Sequence, residues 1–273
     1  MIVALMVPLA VGGNPMPAPS HDQEARAAPL PALQELDMDA KLLELFSLWY
    51  GTTPATSFRP FSHVTSERFQ QLWTTLWFAK GALTAPLDAQ LTAEYAGCFD
   101  AMAPFLALGA PAPPARLAPP VALMWTVGAM VLCDQLSRNI FRGSARAYAT
   151  DALAMRLART LLPRFDELPL PVRVSIVLVF VHSEEPADWG LGGKGDPKEE
   201  GKPAPPAPTA VSLLAHVHAP LRDTCPFVLA SLSAIVANHG DRMRLFGRVP
   251  ERNGYLGRAS TEQELVYVDA MRT

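Results

Sequence analysis

The chain has 273 residues, of which 49% are hydrophobic and 18% charged, with a formal net charge of −3. This is the composition of a packed protein, and it excludes a disordered one. With no basic excess, it also argues against a general nucleic-acid binder. Cys98, Cys133 and Cys225 are odd in number, widely spaced and without metal-ligand spacing. They read as free thiols in a reducing compartment.

The opening MIVALMVPLAVGG is too short to cross a bilayer, and no lysine or arginine precedes Arg26, so it lacks the positive lead of a secretory signal. A cytoplasmic protein is expected, with a weak N-terminal targeting segment as the alternative. Residues 1–35 are rich in proline and alanine and read as a flexible arm ahead of a single all-helical domain over 36–273.

The first helix is expected from Asp37 to Tyr50, capped by Asp37 or Asp39 and stopped by Gly51, with Leu42, Leu45, Phe46 and Trp49 on its buried side. A second runs from Ser66, as its cap, to Phe78. A third covers Asp88 to Met102, bounded by Pro86 and Pro104. The connector from Gly109 to Pro120 leads into Val121–Asp151, an apolar run that ends in charged and amide residues. A further helix follows, capped by Thr150 and closed by Pro163.

PVRVSIVLVFVHSEE is rich in β-branched residues, and its propensity favours a strand. No second strand is present to pair with it, so helix is the better assignment. Residues 186–208 hold glycine, proline and charge without apolar period and read as a disordered insertion. A short helix capped by Thr209, another from Pro226 to Phe246 ended by Gly247, and a last one with the capping-box pair Thr261 and Glu264 complete the chain. The fold class is all-α, with stacked antiparallel helix pairs.

Three blocks resemble one known family: CDQLSRNIFRGSARAYATDALAMRLA, then HSEE at His182–Glu185, then NHGDRMRLFGRVPERNGYLGRASTEQE. In order and spacing they are similar to the domain of unknown function 924 family, over roughly Trp73 to the C-terminus. The resemblance implies a tetratricopeptide-like all-helical stack and supplies no activity. It carries the family's patterned polar residues over to Asp134, Gln135, Arg138, Asn139, Arg142, His182, Ser183, Glu184, His239, Arg248, Arg252, Asn253 and Arg258. The chain departs from the family's pattern at Leu136-Ser137, Val249 and Glu251, and in the glycine/proline stretch after HSEE.

Asp134, Arg138 and Arg142 follow at four-residue intervals and share one face if the helix runs through them. Arg142 has no local acid, so His182, Glu184 and Glu185 are the expected sources of negative charge for the arginines. Arg244, Arg248, Arg252 and Arg258 stand among glycines without a nucleotide-binding loop motif. His182 with Glu184 and His239 lacks the spacing of a metal site, and neither metal nor cofactor is expected.

Two functions stand ahead of a third, a peptide-binding concave surface of the tetratricopeptide kind, which the lack of a repeat period weakens. One is a binding or scaffold protein whose polar cluster is mainly structural. The other is an enzyme or sensor for a small phosphate or carboxylate, with His182 and Glu184 as acid–base candidates. The partner is an unknown small anion or a protein, with no nucleic acid and no membrane.

Overall fold

Asp37 opens the first helix by accepting the Ala40 backbone N–H at 3.2 Å. The helix runs Met38–Tyr50 (α1) and ends on Gly51, whose φ of 62° is the left-handed conformation that glycine adopts without strain. The computed structural model describes residues 37–52, 65–109, 112–191 and 207–271. The expected N-terminal arm lies outside the described residues.

The second helix, Ser66–Leu72 (α2), is capped one residue earlier than expected, since Thr65 Oγ1 accepts the Arg68 N–H at 3.2 Å. It continues as a π-turn over Trp73–Trp77. There the indole N–H groups find distant acceptors: Trp77 donates to the Trp49 carbonyl at 2.9 Å and Trp73 to Ser231 Oγ at 3.1 Å. The third helix, Thr84–Met102 (α3), starts ahead of the expected Asp88 and includes Pro86. Proline is tolerated in a first turn because its missing N–H would have had no helical partner.

The central helix spans Pro119–Ile140 (α4), 22 residues. By length and composition it is apolar enough to cross a membrane, but 78% of its most apolar window is buried within the protein. It crosses α1 at Gly128, where a Cβ would lie 2.2 Å from the Leu42 carbonyl oxygen. Trp125 Nε1 donates to Asp39 Oδ1 at 2.7 Å and pins the same pair of helices. A π-turn over Leu132–Leu136 interrupts α4 before a last helical turn, Ser137–Ile140.

Helix α5, Asp151–Leu161, begins after Thr150, whose hydroxyl does not cap it. That hydroxyl donates instead to the Cys133 carbonyl at 2.6 Å, one of the groups left over near the π-turn. The valine-rich segment is a helix, Leu170–Val181 (α6), with Pro169 at its N-cap and Pro171 in its first turn. Val172 and Val174–Val181 are almost wholly buried on every side, so burial rather than amphipathic pattern selects this helix. Each large apolar side chain among them contributes about 1.5–3 kcal/mol on burial. Tyr50 donates to Ser175 Oγ at 2.8 Å and ties α1 to α6.

The stretch expected to be a disordered insertion opens with a 3₁₀ turn, Pro186–Trp189, in which Asp188 and Trp189 are buried. Residues 192–206 lie outside the described residues. Thr209 then caps Ala210–Thr224 (α7), longer than the short helix expected, through a capping box with Ser212. Pro226–Phe246 (α8) ends on Gly247 at φ 67°. The most extensive helix pairings are α1 with α4, α4 with α5, α6 with α7 and α7 with α8. Among the described residues there is no strand, so the fold is all-α.

The chain divides into two compact units at Val249/Pro250. The smaller holds the 3₁₀ turn Pro250–Arg252 and the helix Glu262–Ala270 (α9). Both halves of its expected capping box are present. Glu264 Oε2 accepts the Thr261 N–H at 2.7 Å, and Thr261 Oγ1 accepts the Glu264 N–H at 3.2 Å.

Candidate functional site

The polar end of α4 is built around Asp134, which is 1% exposed. A carboxylate removed from water to that extent is costly unless several donors meet it. His182 Nδ1 lies 2.9 Å and 3.1 Å from its two oxygens, and Arg138 Nη1 lies 3.3 Å from Oδ1. Gln135 Nε2 donates to Oδ2. Burial pushes the Asp134 carboxyl up, but the charges of His182 and Arg138 and these hydrogen bonds outweigh it, and hold it at about 2.

Arg138 does more than pair with Asp134. Its two terminal nitrogens bind both oxygens of Asp151 at 3.0 Å each, and Nη1 also donates to the Asp134 carbonyl at 2.6 Å. Burial works against its charge, and Asp151 and Asp134 more than offset that, raising its pKa. The Tyr148 ring lies 5.8 Å from the guanidinium carbon. One arginine therefore joins the π-turn of α4 to the N-terminus of α5.

Arg142 does not share this face. The helix ends at Ile140, so the four-residue spacing stops being a helical one. Arg142 reaches back to α3, where its Nε donates to Asp88 Oδ2 at 2.7 Å and its Nη2 to Oδ1 at 3.2 Å. Asn139 Nδ2 donates to the same carboxylate at 2.9 Å. The expected supply of negative charge from the HSEE segment is thus corrected: Asp151 and Asp88 provide it. Glu184 Oε1 accepts the Val249 N–H at 2.9 Å.

The HSEE segment still meets α4, through its histidine. His182 caps the C-terminal end of α6, and its ring lies edge to face with that of His239 on α8, centroids 5.9 Å apart. His239 Nδ1 lies 3.0 Å from the Ile235 carbonyl and donates to it. Ser183 Oγ donates to the buried Asp188 at 2.6 Å, and Arg159 of α5 binds the other oxygen at 2.7 Å. Trp189 Nε1 donates to the Ser183 carbonyl at 2.9 Å.

A family model described as "Bacterial protein of unknown function (DUF924)" matches residues 46–271. The chain belongs to that family. No curated protein matches it. One solved structure similar to it is a protein of unknown function from Agrobacterium tumefaciens, 23% identical, with a TM-score of 0.47. The match covers 74% of this chain and 92% of that one.

The patterned residues of this DUF924 protein therefore fall into separate groups. Asp134, Gln135, Arg138, His182 and His239 form one cluster; Asn139 and Arg142 form another on Asp88. Arg248 is half-buried at the end of the larger unit. In the smaller unit Arg252 and Asn253 are buried, and Asn253 Nδ2 donates to Ser260 Oγ at 3.1 Å and Glu264 Oε2 at 3.3 Å. The Arg258 backbone N–H donates to the Asn253 carbonyl at 2.9 Å. Among the described residues no group of three or more His, Cys, Asp or Glu is arranged to hold a metal.

Sequence reasoning did not identify Asp88, Asp151 and Asp188 as members of these clusters. Asp151 carried one usable signal, since it lies in the same family block as Arg138. Asp88 carried none beyond its charge.

Proposed function

We propose that this DUF924 protein is a cytoplasmic helical binding or scaffold protein of tetratricopeptide-like kind, in which the arginines at the end of α4 lock helices together. The observation that supports this reading is the pairing of both guanidiniums with carboxylates, most of them from other helices: Arg138 with Asp151 and Asp134, Arg142 with Asp88. A guanidinium already held by a carboxylate along one edge has fewer donors left with which to hold a phosphate or carboxylate. That engagement weighs against the small-anion reading at Arg138 and Arg142. On this reading the partner is another protein.

The test is a melting series with and without ligands. Arg138→Met leaves Asp151 and buried Asp134 without their cation and is expected to cost about 3–5 kcal/mol, the usual range for removing one partner of a buried pair. Arg142 is 50% exposed, so Arg142→Ala should cost less than about 1 kcal/mol. Phosphates, nucleotides and carboxylic acids should leave the melting temperature of the parent protein unchanged. A saturable stabilisation by an anion that vanishes in Arg142→Ala would overturn the reading.

A further inference from the structure

Helix α9 buries an acid and exposes its apolar side chains. Its one buried residue is Glu264, 2% exposed. That carboxylate is held from within its own unit, since Oε2 accepts the Thr261 N–H at 2.7 Å and Asn253 Nδ2 at 3.3 Å. The next two residues stand in water, Leu265 at 59% and Val266 at 65% exposure. A single exposed leucine needs no explanation, but a polar interior and an apolar exterior on one short helix do. Leu265, Val266, Val268 and Asp269 line one surface concavity. Leu265, Val268 and Asp269 stand at the three- and four-residue spacing of a shared helix face. That face is apolar, with an acid at its edge.

We propose that the apolar stretch at residues 2–11 of the same chain docks on this face of α9. The stretch, IVALMVPLAV, holds nine hydrophobic residues and Pro8, and no Asp, Glu, Lys or Arg precedes Asp22. It brings to the face apolar surface that gains by leaving water, and no charge that must be desolvated beside Asp269. Residues 12–36 join it to Asp37, the residue that caps α1. At up to about 3.3 Å per residue that connector spans roughly 80 Å, so its length does not limit where the stretch seats. The nine residues of α9 are about 14 Å long, which about four residues of extended chain cover, so part of the stretch suffices.

A second copy of the chain fits the face less well. Helix α9 carries Glu262, Glu264 and Asp269 and no lysine or arginine, so pairing it with itself sets acids against acids. A separate protein competes with a tethered segment. A flexible tether holds its end at an effective concentration on the order of millimolar, which an untethered partner of equal affinity matches only at that concentration. The inference concerns residues other than Arg138 and Arg142 and does not rest on the scaffold reading.

The test is amide hydrogen exchange, read by mass spectrometry on the full-length protein. In the parent the amides of α9 should exchange ~10-fold or more slowly than in the Leu5→Asp/Leu9→Asp double variant, which puts two charges into the stretch. That protection should not change with protein concentration. Reciprocally, residues 2–11 should exchange faster in Val266→Asp than in the parent, with α4 and α6 unchanged in both variants. Equal α9 exchange in the parent and in Leu5→Asp/Leu9→Asp overturns the proposal. So does protection of α9 that rises with protein concentration, which assigns the face to a second copy. Should Val266→Asp lose α9 itself, the comparison of the parent with Leu5→Asp/Leu9→Asp decides alone.

Discussion

Replacing Asp134 by Asn keeps the shape of the side chain and removes its charge, so the change in stability isolates the electrostatic part of the network. The folded-state pKa is about 2, against 3.8 for the free carboxyl. A difference of nearly two pKa units, at about 1.4 kcal/mol per unit, corresponds to roughly 2–3 kcal/mol at neutral pH. For a chain of this size that is a fall in melting temperature of about 5–10 °C. The same shift sets the pH dependence. The folded-state value lies below the free value, so the contribution is complete above about pH 4 and is lost as pH falls toward 2. Urea unfolding of the parent and Asp134→Asn proteins at about pH 7, 5, 4 and 3 reads both quantities. The stability gap should be full at the two higher values and narrow below about pH 4. A gap under about 0.5 kcal/mol at neutral pH, or one that widens on acidification, would refute the assignment of Asp134 as a charged hub.

Two further outcomes follow from the packing. Gly128→Ala should destabilise by about 3 kcal/mol or more, although alanine in a helix is normally the better residue by about 1 kcal/mol. Its Cβ would lie 2.2 Å from a backbone carbonyl of α1 that cannot move aside like a flexible side chain; thermal unfolding at or above the parent's temperature would contradict that contact. Cys98, Cys133 and Cys225 are free and buried, and burial pushes the Cys133 thiol up and that of Cys98 to about 11. A thiol reagent at about pH 8 should therefore react with the native protein far more slowly than with the protein in denaturant, and prompt labelling of all three would contradict the core as described.

Much of the fold is legible because helix starts and stops are local. Asp37, Thr209 and Thr261 each accept a backbone N–H three residues on, and Gly51 and Gly247 end helices with a positive φ. Those relations span a few residues and are written directly in the order of the side chains. The local rules mislead where distant partners win: Thr150 stands at a cap position, yet its hydroxyl goes to Cys133. The valine-rich α6 is decided only by an argument from the whole chain, since its own propensity favours a strand.

The sequence by itself determined that the end of Val121–Asp151 is the polar centre of the larger unit. Buried charge demands partners, and the residues announcing that demand are contiguous. Tertiary structure alone decided who answers it. Asp151 stands 13 residues from Arg138 and Asp88 stands 54 from Arg142, and only the packing of α3 and α5 against α4 brings each pair together. The π-turn over Leu132–Leu136 and the helix end at Ile140 then separate Arg142 from Asp134, so residues at one spacing in the sequence belong to two sites in space. The spacing records a periodicity that the backbone does not keep.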